Sequence, residues 1–259
     1  PFDTSGVDVF VFYWQSNCNG RALNSEIEAE SETVYADYFA EDTIGFIFSN
    51  VVTSWDTLSI YNSRCSAPLT TQSGPDVWFA LKYLKTFNRY PYIVKYAVNG
   101  TGMKLAASEN DWNVNSSSEN YDSLFAGGNS ILNNALDSLT SDYSVVGVIG
   151  IGGERDAELS STSFYADFSS FIDSTRIYTQ ENCPHVYNMI PTNYGGGGAE
   201  NVTYLRGVFE DIQDDKINCR YVNSDDLTLF PDNVHFATLS NRYLGERLFD
   251  QWYELYINN

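Results

Sequence analysis

The sequence has 259 residues, of which 43 % are hydrophobic and 19 % charged, a composition typical of a folded globular chain. We predict one domain spanning residues 1–259, since one large α/β domain commonly has this length. The formal net charge of −20 predicts repulsion from nucleic-acid phosphates and anionic lipid, and no segment approaches the ~20 apolar residues that span a bilayer. We therefore expect neither nucleic acid nor a membrane as a partner.

Five apolar segments rich in β-branched and aromatic residues predict strands. They are residues 7–12, 92–98, 145–151, 185–190 and 220–222. Residues 44–52 also resemble short strands, within a segment from Arg21 to Ser73 that lacks clear periodicity. A segment of this length between the first strand and the first helix commonly carries substrate contacts, and we expect them from Trp55 and Arg64.

Amphipathic helices are predicted between the strands, because apolar residues recur there at helical spacing. Representative core positions of these helices are Trp78, Leu132, Phe168, Leu205 and Leu248. Strands alternating with helices predict a mostly parallel sheet covered on both faces. The predicted fold is therefore a three-layer α/β/α sandwich with a five-stranded, mostly parallel sheet.

Polar or glycine-rich turns follow the first three strands, and another polar turn precedes the last helix. The carboxyl ends of parallel strands meet at one edge of a sheet, so these turns should converge there. Ser16, after the first strand, is either a turn residue or a nucleophile. A nucleophilic serine needs a base and a carboxylate that orients the base. His235 is the candidate base, and Asp232, three residues earlier, can reach its other ring nitrogen.

Four short motifs occur in the order and spacing of the SGNH hydrolases. They are Gln15-Ser16-Asn17, Asn99-Gly100-Thr101, Gly153-Glu154-Arg155-Asp156 and Asp232-x-x-His235. The set most resembles the sialate O-acetylesterase-like branch, which includes the acetylxylan esterases of carbohydrate esterase family six. That branch typically has Gly-Gln-Ser-Asn, Gly-Gly-Thr, Gln-Gly-Glu-Ser-Asp and Asp-x-x-His. Gly74-Pro75 and Asp111-Trp112-Asn113 fit the resemblance as well.

The resemblance implies an SGNH or flavodoxin-like fold and a serine esterase that removes O-acetyl groups from a polysaccharide or a sialic-acid-type glycan. It implies that Ser16 attacks the acetyl carbonyl and that His235 acts as general base and then general acid. Asp232 would orient His235, or Glu154 would do so instead. The backbone N–H groups of Ser16 and Gly100 would form the oxyanion hole. We expect the remaining motif side chains to bind substrate, namely Gln15, Asn17 and Arg155.

Two positions depart from the family pattern. Gly152 replaces the glutamine whose side chain normally supplies a third oxyanion donor, and Asn99 replaces the first glycine of the second motif. Asparagine tolerates unusual backbone angles, so the turn can persist at Asn99. The amide of Asn99 or Asn17 could restore the missing donor. The alternative interpretation is a catalytically weak glycan-binding module of a larger virion or cell-surface assembly.

The four cysteines show no metal-ligand spacing and allow either two disulfides or four free thiols. They are Cys18, Cys65, Cys183 and Cys219. Two histidines exclude a histidine-rich metal site, and we expect no cofactor and no metal.

The expected partner is an acetylated glycan. Because the chain does not begin with Met, we expect a larger parent polypeptide or virion assembly, and an extracellular, cell-surface or virion location.

Overall fold

The structure is a computed structural model and describes residues 6–30, 34–66, 70–104, 110–116, 123–179 and 182–258. The strands of these residues are β1 (Val7–Trp14), β2 (Ala22–Leu23), β3 (Phe46–Ser49), β4 (Asp56–Thr57), β5 (Gln72–Ser73), β6 (Tyr92–Ala97), β7 (Tyr143–Ile151), β8 (His185–Asn188) and β9 (Cys219–Val222). Seven of them form one sheet in the order β4-β3-β6-β1-β7-β8-β9, and β2 pairs separately with β5.

The main sheet is mostly parallel, as predicted, but the predicted count of five strands is wrong. Strand β3 pairs parallel with β6, and β4 pairs antiparallel with β3 at the sheet edge. The two residues of β4 are both exposed, so no apolar run marks this strand in the sequence. The five predicted strands are all present, as β1, β6, β7, β8 and β9.

Helices cover both faces of the sheet. They are α1 (Ser16–Asn19), α2 (Asn24–Ala29), α3 (Ala36–Phe39), α4 (Asp76–Phe87), α5 (Leu124–Asp137), α6 (Glu154–Glu158), α7 (Phe164–Tyr178), α8 (Gly198–Asp215) and α9 (Thr238–Ile257). Within the described ranges, no helix combines the length and apolarity needed to cross a bilayer.

Two apolar cores lie on opposite faces of the sheet because side chains of a strand alternate in direction. On β1, Phe10 and Phe12 belong to the core formed with α4 and α9. Val9 and Val11 belong to the other core, formed with α5, α7 and α8. This arrangement is the predicted three-layer α/β/α sandwich.

The carboxyl ends of β6, β1 and β7 lie at the same level, since Trp14 pairs with Ala97 on one side and Ile151 on the other. The chain adds β3 and β6 on one side of β1 and then continues with β7 on the opposite side. Such a change of direction opens a crevice outside the strand ends, where open α/β sheets bind ligands. The loops that follow these three strands border the crevice.

Candidate active site

Ser16 lies at the sharp transition from β1 to α1, directly outside the central strand of the sheet. It is the first residue of α1, so its backbone N–H has no partner within the helix. The N–H of Ser16 and that of Gly100 both lack an acceptor among the described residues. The serine therefore carries a hydroxyl and an unused backbone donor at the same strand end.

The turn that precedes α9 brings His235 to this serine. The distance from His235 Nε2 to Ser16 Oγ is 2.9 Å, and the distance from His235 Nδ1 to Asp232 Oδ2 is 2.7 Å. Asp232 Oδ1 also accepts hydrogen bonds from the backbone N–H groups of Val234 at 2.9 Å and His235 at 3.0 Å. The meeting of Ser16 with His235, which the motifs predict, is present in the structure.

The charge of Asp232 favours the tautomer in which His235 carries its proton on Nδ1. Burial raises the pKa of Asp232, but hydrogen bonds from His235 and from the backbone outweigh burial and leave this pKa below its usual range. An ionised Asp232 accepts a hydrogen bond from Nδ1–H, so the unprotonated Nε2 can accept the proton of the Ser16 hydroxyl. This chain of contacts is the arrangement that an activated serine requires.

Glu154 does not orient His235, contrary to the second possibility drawn from the motifs. Its buried carboxylate accepts hydrogen bonds from Gln15 Nε2 and, at 2.6 Å, from Asn17 Nδ2. Burial raises the pKa of Glu154 to about 7, although the hydrogen bond from Asn17 lowers it. Glu154 therefore holds the two residues that flank Ser16, and among the described residues Asp232 is the carboxylate that contacts His235.

Asn17 links the nucleophile turn to the histidine turn. Its Nδ2 also donates to Val234 O at 3.1 Å, and its Oδ1 accepts from Phe236 N at 3.2 Å. Only 1 % of Asn17 is exposed, so the expected substrate contact of this residue is wrong. Gln15 is likewise 2 % exposed, although it lies at the base of the cleft. Both amides donate to Glu154 and so hold the turn that carries Ser16.

The loop after β6 is held by the other motif residues. Gly100 has a φ of 69°, in the region that favours glycine, and a Cβ at this position would meet open space. Thr101 Oγ1 donates to Val98 O at 2.7 Å and accepts from Trp112 Nε1 at 3.0 Å. The buried Asp156 accepts from the backbone N–H of Met103 at 2.9 Å. These contacts fix the backbone of Gly100 at the rim of the cleft.

The cleft above these groups has a volume of about 160 Å³. Most of the residues that line it have polar side chains, and the lining comprises Gln15, Ser16, Arg21, Asn99, Gly100, Glu154, Arg155, Glu158, Tyr194, Val234 and His235. Arg155 lies here as expected, paired with Glu158 at 3.1 Å, and Tyr194 Oη donates to Glu158 at 2.8 Å. Larger surface grooves, of about 540 and 590 Å³, lack the serine and the histidine.

Arg21 differs from the other cleft residues because it has no hydrogen-bond or ion-pair partner among the described residues. Burial and the neighbouring Arg21 charge lower the pKa of Arg64 to about 10. The two guanidinium groups are therefore near enough to repel each other in a chain with a net charge of −20. Sequence reasoning missed Arg21, whose only local signal is its position directly after Gly20 near the nucleophile. It also missed Tyr194 and Glu158, which have no such signal.

The substrate contacts expected of Trp55 and Arg64 are wrong. Trp55 packs at the β3 edge against Phe48, and its Nε1 donates to Ala135 O at 3.2 Å. Arg64 has no exposed surface and donates to Gln72 Oε1 at 2.5 Å. Neither side chain lines the cleft. Aromatic and cationic side chains in an aperiodic segment can be either buried or exposed to solvent. Composition alone does not distinguish a buried side chain from an exposed one.

All four cysteines are buried thiols, so the possibility of two disulfides is not realised. Across the residues that the structure describes, no group of three or more His, Cys, Asp or Glu side chains is arranged to hold a metal ion. The side chains that converge on the cleft are a hydroxyl, an imidazole, amides, guanidinium groups and carboxylates. This set suits nucleophilic attack on a carbonyl carbon with proton transfer through the imidazole.

Comparison with solved structures supports the fold assignment. A protein from Arabidopsis thaliana superposes with a TM-score of 0.71 at 18 % identity, over 97 % of this chain and 99 % of that chain. The crystal structure of NanS gives a TM-score of 0.69 at 13 % identity, over 98 % of this chain and 99 % of that one. A carbohydrate acetylesterase from Xanthomonas citri gives 0.62 at 17 % identity, over 98 % of this chain and 57 % of that one.

No curated protein matches the chain. The profile of one family, described as carbohydrate esterase, sialic acid-specific acetylesterase, matches residues 6–254. That match spans nearly the whole sequence, including all four motifs and both core faces. The chain therefore belongs to the family of carbohydrate esterases described as sialic acid-specific acetylesterases, and it is a carboxylic ester hydrolase.

Proposed function

We propose that this protein removes O-acetyl groups from a carbohydrate, with Ser16 as nucleophile, His235 as general base and acid, and Asp232 as the residue that orients His235. The observation that carries the proposal is the continuous contact from Ser16 Oγ through the imidazole to the Asp232 carboxylate, at 2.9 and 2.7 Å. Family membership supports the carbohydrate ester as the substrate class.

The first half of the reaction forms an acetyl-serine. Ser16 Oγ bonds to the acetyl carbon while His235 Nε2 accepts the hydroxyl proton, and the carbonyl oxygen becomes an oxyanion. The bond from the acetyl carbon to the sugar oxygen then breaks, and His235 returns the proton to that oxygen. The deacetylated sugar leaves as an alcohol. Asp232 stabilises the imidazolium that exists between the two transfers.

The second half reverses these roles with water. A water molecule gives a proton to His235 Nε2 and bonds to the acetyl carbon, and the bond to Ser16 Oγ then breaks. His235 donates the proton to Ser16, and acetate is released. In both halves, the backbone N–H groups of Ser16 and Gly100 would donate to the oxyanion, and each such donor is typically worth ~3 kcal/mol in the transition state.

The cleft suits a small acyl group on a polar alcohol. A volume of about 160 Å³ accommodates an acetyl group with part of a sugar, and polar side chains around it can bond to hydroxyl groups. Arg21, which has no partner among the described residues, adds a guanidinium, a group that can bind a carboxylate through two parallel hydrogen bonds. We therefore infer an acidic sugar as the preferred substrate, of the sialic acid type or the uronic acid type.

The test is acetate release by wild type and by Ser16→Ala, with p-nitrophenyl acetate as a small ester and an O-acetylated glycan as the carbohydrate. We expect wild type to hydrolyse both and the variant to lose at least ~10³-fold in kcat. Retention of turnover by the variant would exclude Ser16 as nucleophile. Glycan binding by a wild type that releases no acetate would instead favour the glycan-binding module.

A further inference from the structure

Trp14 and Gly152 form a complementary pair beneath the cleft. Trp14 has a φ of 115°, in the region that favours glycine, and it occupies the position of the glycine in the Gly-Gln-Ser-Asn motif. Gly152 occupies the position of the glutamine in the third motif. A Cβ on Gly152 would lie 2.5 Å from ring atoms of Trp14, closer than real side chains approach. The indole and a side chain at position 152 therefore cannot be present together.

The indole is a fixed part of the core. Trp14 is 1 % exposed, and its ring stacks on Phe164 with ring centroids 6.1 Å apart and contacts Phe168 at 5.2 Å. In this chain no side-chain donor can reach the oxyanion position from residue 152. If three donors are needed, the third must come from another element.

Asn17 cannot be that donor. Its Nδ2 already donates to Glu154 and Val234, and its Oδ1 accepts from Phe236. Turning this amide toward the cleft would break the contacts that hold the histidine turn to the nucleophile turn. The exposed Asn99, which lines the cleft beside Gly100, is the remaining asparagine that sequence reasoning proposed for this role.

The amide of Asn99 is oriented by a second asparagine. Asn99 Oδ1 accepts from Asn19 Nδ2 at 3.0 Å. Asn19 is itself buried and fixed, because its Oδ1 accepts from Cys65 N at 2.8 Å and its Nδ2 donates to Ser66 Oγ at 2.6 Å. Reversing the Asn99 amide would place two NH₂ groups against each other. The stable orientation is therefore the one in which Asn99 Nδ2 has no partner in the part of the chain that the structure describes.

We propose that Asn99 Nδ2 is the third oxyanion donor, and that this role moved to Asn99 because the Trp14–Gly152 pair excludes the donor at position 152. The inference rests on the proposed serine esterase function and deepens it. Asn99 is then a catalytic residue that contacts the oxyanion, and Asn19 is the residue that positions it. A donor of this kind acts mainly in the transition state, so its loss lowers kcat and leaves KM nearly unchanged.

The test is the kinetics of p-nitrophenyl acetate hydrolysis by Asn99→Ala, with Asn115→Ala as the control because Asn115 is exposed outside the cleft. We expect kcat of the Asn99 variant to fall about 10²-fold with KM within about twofold of wild type. The control should keep wild-type kinetics. A decrease of kcat below about threefold, or an equal change in kcat and KM, would overturn the proposal.

A rescue experiment separates the donor from a structural role. In the Asn99→Ala background, the double change Trp14→Gly and Gly152→Gln returns the glycine and the glutamine of the family motifs. We expect the triple variant to recover at least about tenfold in kcat over Asn99→Ala, provided that its thermal unfolding stays cooperative. A folded triple variant without recovery would argue against the shifted donor. If the triple variant does not fold, the kcat and KM of Asn99→Ala decide alone.

These outcomes are distinct from failure of the proposed function. An active wild type and an inactive Ser16→Ala establish the serine esterase, whatever Asn99 does. An inactive wild type removes the serine esterase and the donor together.

Discussion

At the scale of single residues, two carboxylates of the site have opposite environments. Asp232 is exposed and its pKa lies below its usual range, because hydrogen bonds from His235 and the backbone outweigh the effect of burial. Glu154 is buried, and burial raises its pKa to about 7. Asp232 thus stays ionised wherever an imidazole can act as a base, whereas Glu154 binds a proton near neutral pH.

The raised pKa of Glu154 predicts a pH dependence of stability. A buried carboxyl whose pKa rises from 4.5 to about 7 stabilises the folded state below pH 4.5, and this stabilisation is lost as the pH rises through 7. Between pH 4 and 8, we expect the free energy of unfolding of wild type to fall by on the order of 3 kcal/mol more than that of Glu154→Gln. Urea unfolding of both proteins over this pH range measures the difference. Asp156 has a pKa that is raised mainly by burial, and it remains in both proteins, so the main part of its contribution cancels. Parallel stability curves would contradict the prediction.

At the scale of secondary-structure elements, a buried ion pair joins β6, α4 and the end of α1 beneath the site. Lys95 Nζ lies 2.6 Å from Asp76 Oδ1, and both side chains are fully buried. The same nitrogen donates to Ser63 Oγ at 3.2 Å and to Asn19 O at 3.3 Å. The pair therefore supports the residue that orients Asn99.

Breaking this pair should destabilise the fold far more than breaking a surface pair. We expect Lys95→Met to lower the free energy of unfolding by roughly 3–5 kcal/mol, because it leaves the Asp76 carboxylate buried without its cation. The control is Lys82→Met, which removes a partly exposed pair with Asp250 and should cost at most about 1 kcal/mol. Urea unfolding of both variants gives the comparison, and equal losses would contradict it.

The elements that the sequence predicts well are those whose signal is local. An apolar run followed by a polar turn predicts β1 and the place of Ser16. The spacing of Asp232 and His235 predicts the turn that contacts this serine. Strand β4 has no such signal, because two exposed residues become a strand only by pairing with β3. The partner of Glu154 and the burial of Arg64 depend on contacts between distant segments, which periodicity does not contain.

At the scale of the whole molecule, the net charge of −20 opposes an acidic substrate, and Arg21 at the cleft, unpaired within the described ranges, favours it. The two effects differ in range. Repulsion by the surface extends over about 10 Å at ordinary ionic strength, whereas a guanidinium–carboxylate pair acts at contact. A single cation at the site can therefore determine the substrate even on a strongly acidic protein.

Arg21→Gln should raise KM for an acidic acetylated sugar about tenfold or more, and change KM for a neutral one much less. Acetate release from an O-acetylated sialic acid, an O-acetylated galacturonate oligomer and an O-acetylated xylo-oligomer distinguishes the two acidic classes from the neutral one. Arg220→Gln removes the same charge from an exposed position on β9 and should leave all three KM values unchanged. An equal rise for all three sugars with Arg21→Gln would exclude carboxylate recognition.

The contacts of Asn17 have a consequence for the timing of activity. The hydrogen-bonded Ser16 and His235 are 219 positions apart, and Asn17 joins the nucleophile turn to residues on both sides of His235. These contacts cannot form until the turn that precedes α9 has packed against the turn that follows β1. During refolding, ester hydrolysis should therefore appear only when these two distant turns have come together. The onset of activity then measures the rate of that step.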